Sequence, residues 1–258
     1  MWLAGGISYL VFKSIQTIIS FLTIIPTTKS SYIDIYSIAR NMYLFPLAGA
    51  MIGILVGVLA YGISYYIQSL FTGLLVTCAL IIITGFHHTD ALADFADGLM
   101  AKGRKEDKYK AMHDPAVGSA GVAALVIYIA GMIIAISNLP YGWKILTSIV
   151  TAEVIAKYIM VLQAHIGLSA WDGFSSPFTS AMKDKRKLLA ATGIMFPIVW
   201  FMSGIYTGLI LLGISLGITV IIHHISNKSF GGISGDVIGS SNEITRLSCL
   251  IVLSSLTI

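Results

Sequence analysis

A chain of 258 residues with 56% hydrophobic side chains, only 11% charged ones and a mean hydropathy of +0.86 is too apolar for a soluble domain, where about 25% of residues carry charge. The formal net charge of +4 and pI near 9.0 do not point to nucleic acid, because the basic residues sit in short segments between apolar runs and form no continuous stripe. Cys78 and Cys249 both lie inside apolar runs, which argues for packing thiols and against a disulfide framework or a metal knuckle.

In chain order, residues 1–25 have no basic leader and no small-residue cleavage site, and Lys13 interrupts their apolar stretch. They read as an interfacial amphipathic helix or a full span, with no cleaved signal peptide. Runs near the length of a membrane helix follow at about 43–67, 70–89, 118–137, 145–165, 189–203, 206–223 and 244–258. Placing loops 26–42, 90–117, 166–188 and 224–243 on one side gathers 12 of the 16 Lys and Arg there. The other side keeps Lys144 alone, while Lys13, Lys157 and Arg246 fall within or at the ends of apolar runs. That asymmetry predicts cytoplasmic polar loops in the cell membrane, and most of the acids share their face. No internal repeat or linker divides the chain, so residues 1–258 read as one all-α domain. The expected architecture is a polytopic membrane bundle of about seven transmembrane helices plus the N-terminal helix.

The second apolar run leads into HHTDALADFADGLMAKG, residues 87–103. Asp90, Asp94 and Asp97 stand at i, i+4 and i+7, on one face of a helix. An unpaired carboxylate at membrane depth costs roughly 2.5–3.5 kcal/mol, and like charges one turn apart raise each other's pKa. A positive partner is therefore expected. Lys102 and Lys105 answer in part; a divalent cation answers more fully, and oxygen ligands suit magnesium, manganese or calcium rather than zinc. A solvated helix start, with acids favoured by the helix dipole, would account for one aspartate. It accounts poorly for three on one face of a chain with only 12 acids. Gly98 lets another chain or a ligand approach the backbone.

Two later segments have related chemistry. MHDPAVGSAG, 112–121, carries Asp114 before a proline, with Gly118 and Gly121 at the mouth of the next run, where small residues also serve helix packing. KSFGGISGDVIGSSNEITRL, 228–247, carries Lys228, Gly231, Gly232, Gly235, Asp236 and Glu243; a glycine turn before a helix can hold phosphate, although such connectors are also common between membrane helices. No H-E-x-x-H is present, so a zinc protease is excluded. His223 and His224 read as interfacial, whereas His88 beside the acids could orient a carboxylate or contact phosphate; His87 and His113 are left without a role. Glu153 and Lys157, four apart inside a run, read as a structural ion pair rather than the lining of a polar cavity. Clustered acids, glycine turns and lysines suit phosphoryl transfer, in which two magnesium ions about 3.5–4 Å apart can serve both attacking and leaving oxygens. No G-x-S-x-G nucleophile is present, so direct displacement is the simpler chemistry.

The stretch from Asp94 to Lys102 is similar to the opening D-x-x-D-G-x-x-A-R of the CDP-alcohol phosphotransferases, but with lysine for the arginine and without the later half of that motif. A second resemblance covers most of the chain. TGFHHTDALADFADGL resembles the T-G-G-x-H-x-D-G-L-A-D-x-x-D-G of the cobalamin synthase family, the adenosylcobinamide-GDP ribazoletransferases; MHDPAVGSAG resembles its M-x-D-x-x-x-G-x-x-G, and FGGISGDVIGSSNEITRL its G-G-x-T-G-D-x-x-G-A-x-x-E. FLTIIP and FPLAGAMIG fit its opening segments. Ala91 stands where glycine is usual, Ser234 where threonine is, and His113 and Ala116 where a basic residue is common.

This resemblance implies a membrane transferase that joins adenosylcobinamide-GDP to alpha-ribazole or its 5′-phosphate. GMP is released and adenosylcobalamin or its phosphate is made, a ribose hydroxyl attacking the cobinamide-bound phosphorus. It implies Mg2+, or Mn2+, held by Asp90, Asp94, Asp97 and Asp114, with Asp236 completing the site or acting as base. Glu243 is a further metal candidate, and His88 stays with the catalytic group. Lys102, Lys228 and the turn of Gly231, Gly232 and Gly235 are implied to contact phosphate or nucleotide. Membrane lipid is an expected partner and nucleic acid is not; homodimer formation is left open. A lipid-forming CDP-alcohol phosphotransferase and a cation transporter are the alternatives, the second disfavoured because the acids cluster on one membrane face.

Overall fold

The computed structural model describes residues 2–27 and 34–256, with side chains from Phe12 onward. Lys29 in the first polar loop, and the side chains that would decide whether residues 1–11 lie in or across a membrane, fall outside that description. The helices are α1 (Trp2–Leu22), α2 (Ile35–Asn41), α3 (Phe45–Ile63), α4 (Ser69–Ile83), α5 (His87–Met100), α6 (Lys105–Met112), α7 (Ser119–Ser137), α8 (Trp143–Ile166), α9 (Ser176–Met182), α10 (Lys185–Ser203), α11 (Ile205–Phe230) and α12 (Gly235–Ser255). Among the described residues no strand forms, and β-pairing is confined to a bridge between Ser169 and Ile233. The chain is all-α and polytopic, as its apolar runs predict.

Six of the seven runs each hold one helix, and the run at 70–89 is divided between α4 and α5. Among the described residues four segments are long and apolar enough to span: Ile35–Ile63, α7, α8 and α11; the bent pair α4 and α5 makes five if it is one broken span. The described side chains of the N-terminal helix form an apolar stretch at Phe12–Leu22. Neither α10 nor α12 qualifies by length and composition: α10 opens on Lys185, Arg186 and Lys187, and α12 holds Asp236, Glu243 and Arg246. The run at 70–89 is cut at Ile83 because Gly85 (φ 66°) and Phe86 (φ 63°) are both left-handed, and the chain turns by 90° between α4 and α5. A non-glycine residue there costs of order 1–3 kcal/mol, so the surrounding packing must hold the turn.

The centre of the bundle is α8. Its apolar window is 94% buried, against 28% for α7 and α11, so those two present most of their surface to lipid. Small residues explain how α3 reaches it: Cβ atoms added at Gly49, Gly53 and Gly57 would come within 2.6 Å of Glu153 O, 2.7 Å of Val150 Cα and 3.2 Å of Leu146 Cγ. The i, i+4, i+8 stripe brings two backbones together, the usual packing device where lipid removes the hydrophobic drive. On its other face α3 exposes Met51, Ile54, Leu55, Val58 and Leu59.

The core also holds charge. The Arg246 guanidinium pairs with Glu153, through Nε to Oε1 and Nη2 to Oε2 at 3.2 Å, and its Nη1 donates to Glu243 Oε1 and Oε2 at 2.9 and 2.7 Å and to the Tyr128 hydroxyl at 3.1 Å. Lys157 donates to Asn242 Oδ1 at 2.8 Å, and its Nζ is 4.0 Å from Glu153. The expected Glu153–Lys157 pair is therefore one edge of a four-charge network with two acids and two bases. Arg246, in the fourth turn of α12, is its hub, and the network ties α7, α8 and α12 together.

The loops sort into two ends. At one, Gly142 N donates to Ser64 Oγ (3.3 Å) and Tyr65 packs edge-on to Tyr61 and Tyr141, joining the α3–α4 and α7–α8 connections. At the other, Ile233 N donates to Leu168 O (2.8 Å), Tyr109 meets Trp171 at 4.6 Å, and α2 packs on α9. The four polar loops expected on one side do gather at this second end.

Candidate active site

Helix α5 is positioned by its crossing with α12. A Cβ on Gly239 would lie 2.6 Å from Ala91 Cβ, and Ser240 Oγ donates to Ala91 O at 2.9 Å. That crossing brings Asp236, in the first turn of α12, beside the acids of α5. Asp90 is exposed, Asp94 and Asp236 half-buried. Because α5 leaves α4 at a right angle and α12 starts at the polar end, these carboxyls lie outside the four unbroken candidate spans. The Asp94 carboxyl is pushed up to about 6 by burial first and then by repulsion from Asp90 and Asp236. Burial also raises Asp236, partly offset by the Ser234 hydroxyl, which donates to Asp236 Oδ2 at 3.2 Å. Asp90, Asp94 and Asp236 thus confront one another, and among the described residues none of them has a Lys or Arg ion pair.

The other expected ligands are placed differently. Asp97 accepts from Gly118 N at 2.7 Å and Gly121 N at 2.8 Å, one through each oxygen, so it caps the start of α7. A Cβ at either glycine would strike that carboxylate, which explains the G-x-x-G spacing. Asp114 is exposed, closes its own turn by accepting from Ala116 N at 2.9 Å, and borders a shallow cleft with Asp97 rather than meeting Asp236. Glu243 is fully buried with both oxygens on Arg246, so its carboxylate is committed to the ion network. His88 is buried beside it, Nδ1 4.0 Å from Glu243 Oε1, with no hydrogen bond to either ring nitrogen among the described residues.

The glycine turn is not an open phosphate loop. Gly231 N donates to Asn227 O, Ile233 N to Leu168 O, and Gly232 is buried so closely against Leu168 and Ala170 that a Cβ would lie 2.5 Å from Leu168 O. Gly235 stands at the α12 start with its Cβ position 3.3 Å from the Phe174 ring. Lys102 and Lys228 are both exposed. Lys105 is the lysine at the turn, its Nζ 2.6 Å from where a Gly231 Cβ would be. His113, which attracts Asp94 and Asp236, stacks on Tyr109 at 4.1 Å, and Trp171 stands edge-on to Tyr109. The i, i+4 spacing of Tyr109 and His113 could have shown their pairing; nothing around Trp171 in the sequence marks it.

A cavity of about 420 Å3 opens beside these acids, between α1, α3, α5, α8, α9 and α12. Its wall is mainly Phe21, Phe45, Phe174, Phe178, Met42 and Met160, with Asp236, His87 and His88 at one side.

Among the described residues no three His, Cys, Asp or Glu side chains are close enough to hold one ion as they stand. The donor chemistry nevertheless fits a hard divalent cation: three carboxylates from two helices without a Lys or Arg ion pair, two of them with raised pKa, and no thiol among them.

Residues 14–254 match the family described as cobalamin-5-phosphate synthase. The chain belongs to that family. Among similar proteins, one of Archaeoglobus fulgidus is 32% identical over 95% of this chain and 97% of its own length, and one of Pyrococcus abyssi is 31% identical over 93% and 97%. One of Methanosarcina barkeri is 33% identical over 92% and 89%. All three carry the name adenosylcobinamide-GDP ribazoletransferase. No solved structure gives a significant match. The departures from the cobalamin synthase signature now have a physical reading. Ala91 is tolerated because Gly239 faces it, and Ser234 keeps the capping hydroxyl, accepting from Val237 N at 3.3 Å. Phe86 stands at the signature's second glycine and adopts the left-handed backbone that glycine takes freely.

Proposed function

We propose that this chain is a Mg2+-dependent adenosylcobinamide-GDP ribazoletransferase of the cell membrane, with its site at the cytoplasmic face. The observation that carries the reading is the meeting of Asp90 and Asp94 with Asp236 at the α5–α12 crossing, within a chain whose family match runs nearly end to end. Asp90, Asp94 and Asp236 would hold Mg2+ or Mn2+, which when bound neutralises phosphate charge and makes an adjacent hydroxyl more acidic.

In the reaction a ribose hydroxyl oxygen of alpha-ribazole, or of its 5′-phosphate, bonds to the cobinamide-bound phosphorus. The bond from that phosphorus to GMP breaks, and GMP leaves with the electron pair. Asp236, with its raised carboxyl, accepts the hydroxyl proton, and Asp90 and Asp94 complete the anionic wall that fixes the cation. Lys105 at Gly231 supplies positive charge for a phosphate. Most basic residues lie in the loops at this end, which supports cytoplasmic placement.

Transport receives no support from the buried charges, since Glu153, Lys157, Glu243 and Arg246 are paired with one another rather than lining a path. The test is product identification with detergent-purified protein, adenosylcobinamide-GDP and alpha-ribazole, without sealed vesicles. A cobalamin-type corrinoid together with GMP is expected; product formation only from a CDP-alcohol donor and a lipid acceptor would replace this reading.

A further inference from the structure

The 420 Å3 cavity sits at the small end of ligand pockets, which run from about 300 to 1,000 Å3. It is enclosed by phenyl rings and a thioether, Phe21, Phe45, Phe178 and Met160 among them, yet Asp236 of the carboxylate cluster reaches its edge. His88, 6% exposed, also lines it, with its Nδ1 shut away from the cavity 4.0 Å from Glu243 Oε1.

We propose that this cavity binds the base of alpha-ribazole and selects it by size, holding the ribose at the cavity mouth beside Asp236. The assignment rests on the function proposed above, and three substrate parts compete for it. The corrin ring, wide and fringed with amides, is too large. Guanine carries donors and acceptors around its edge that a wall of Phe and Met cannot satisfy, and each polar group left unpaired there is penalised. The dimethylbenzimidazole of alpha-ribazole has two methyl groups, two fused rings and one free ring nitrogen. Its apolar body matches the wall, and its lone ring nitrogen leaves one polar atom to be met, at the side of the cavity where His87 and His88 stand. Anchoring the base fixes the ribose hydroxyls at the rim, where Asp236 stands, so orientation of the attacking oxygen follows from filling the cavity.

Two variants test it without touching the acids. Met160→Phe narrows the cavity and Phe174→Ala, at its exposed rim, widens it. Met160→Phe is expected to raise KM for alpha-ribazole about tenfold or more. Its effect on an unsubstituted benzimidazole riboside should be smaller, with KM for adenosylcobinamide-GDP unchanged. Phe174→Ala should extend acceptance to a larger, naphthimidazole-type riboside that the wild type rejects, and it keeps the test open if the first variant does not fold. Equal effects on all ribosides, an effect confined to the corrinoid substrate, or a copurified phospholipid in the cavity that alpha-ribazole does not displace would each overturn the assignment. Absence of GMP release from the wild type would instead sink the proposed function, so the two failures are distinguishable.

Discussion

Asp94 is the residue at which the electrostatics of the site can be read most directly. Its carboxyl titrates near 6 because burial and the neighbouring Asp90 and Asp236 penalise its charge. A carboxyl raised in the folded state favours folding while it is protonated. That contribution is complete below the usual value of 3.8 and is lost as pH rises through about 6. In metal-free protein, the thermal stability of wild type relative to Asp94→Asn should therefore fall between pH 4 and pH 7 (roughly the window set by that shift), and added Mg2+ should close the gap. Mg2+ should also bind more weakly as pH drops below about 6, because protons compete for the same oxygens. A difference that is flat with pH would mean that Asp94 is not repelled as described. At this scale the sequence was informative about which acids share α5, since their spacing alone sets the face. It could not distinguish Asp97, whose two oxygens are taken by backbone N–H groups 21 and 24 residues away, from Asp94, whose oxygens are not.

Among the elements, α8 and α12 hold the buried charges and the packing centre of the bundle. Removing the hub of their charge network by Arg246→Leu leaves buried Glu243 with only the Asn242 amide and buried Glu153 with only Lys157, 4.0 Å away, and should cost about 3–5 kcal/mol, read as a lowered Tm or loss of folded protein in detergent. Restoring charge balance with Glu153→Gln in the same chain should recover part of that loss. Gly53→Leu should cost on the order of 1–3 kcal/mol or more, because its side chain would meet the Val150 backbone. The elements themselves were legible: every apolar run became helical, and only the run at 70–89 was divided. The break after α4 was not, because it turns on Phe86 in a conformation that an aromatic residue rarely takes. Nor was the ion network, since Arg246 lies 93 residues from Glu153 and only folding brings them together.

For the whole molecule, charge asymmetry among the loops and their convergence at one end agree, although each comes from a different source. Sidedness follows as a prediction. A single cysteine at Lys102 should be labelled by a membrane-impermeant thiol reagent only in inside-out vesicles, and one at Lys144 only in right-side-out vesicles, with Cys78 replaced beforehand. The reverse pattern would turn the site to the outer face. The measurement that bears most directly on function is Mg2+-dependent GMP release by the purified wild type, Asp94→Asn and Asp236→Asn with adenosylcobinamide-GDP and alpha-ribazole. Wild type should release GMP with Mg2+ or Mn2+ and stop when the metal is chelated, and Asp236→Asn should lose about 10²–10⁴ in rate, with Asp94→Asn impaired even at saturating metal. GMP release that persists under chelation, or an Asp94→Asn variant as fast as wild type, would contradict a carboxylate-held metal at the α5–α12 crossing.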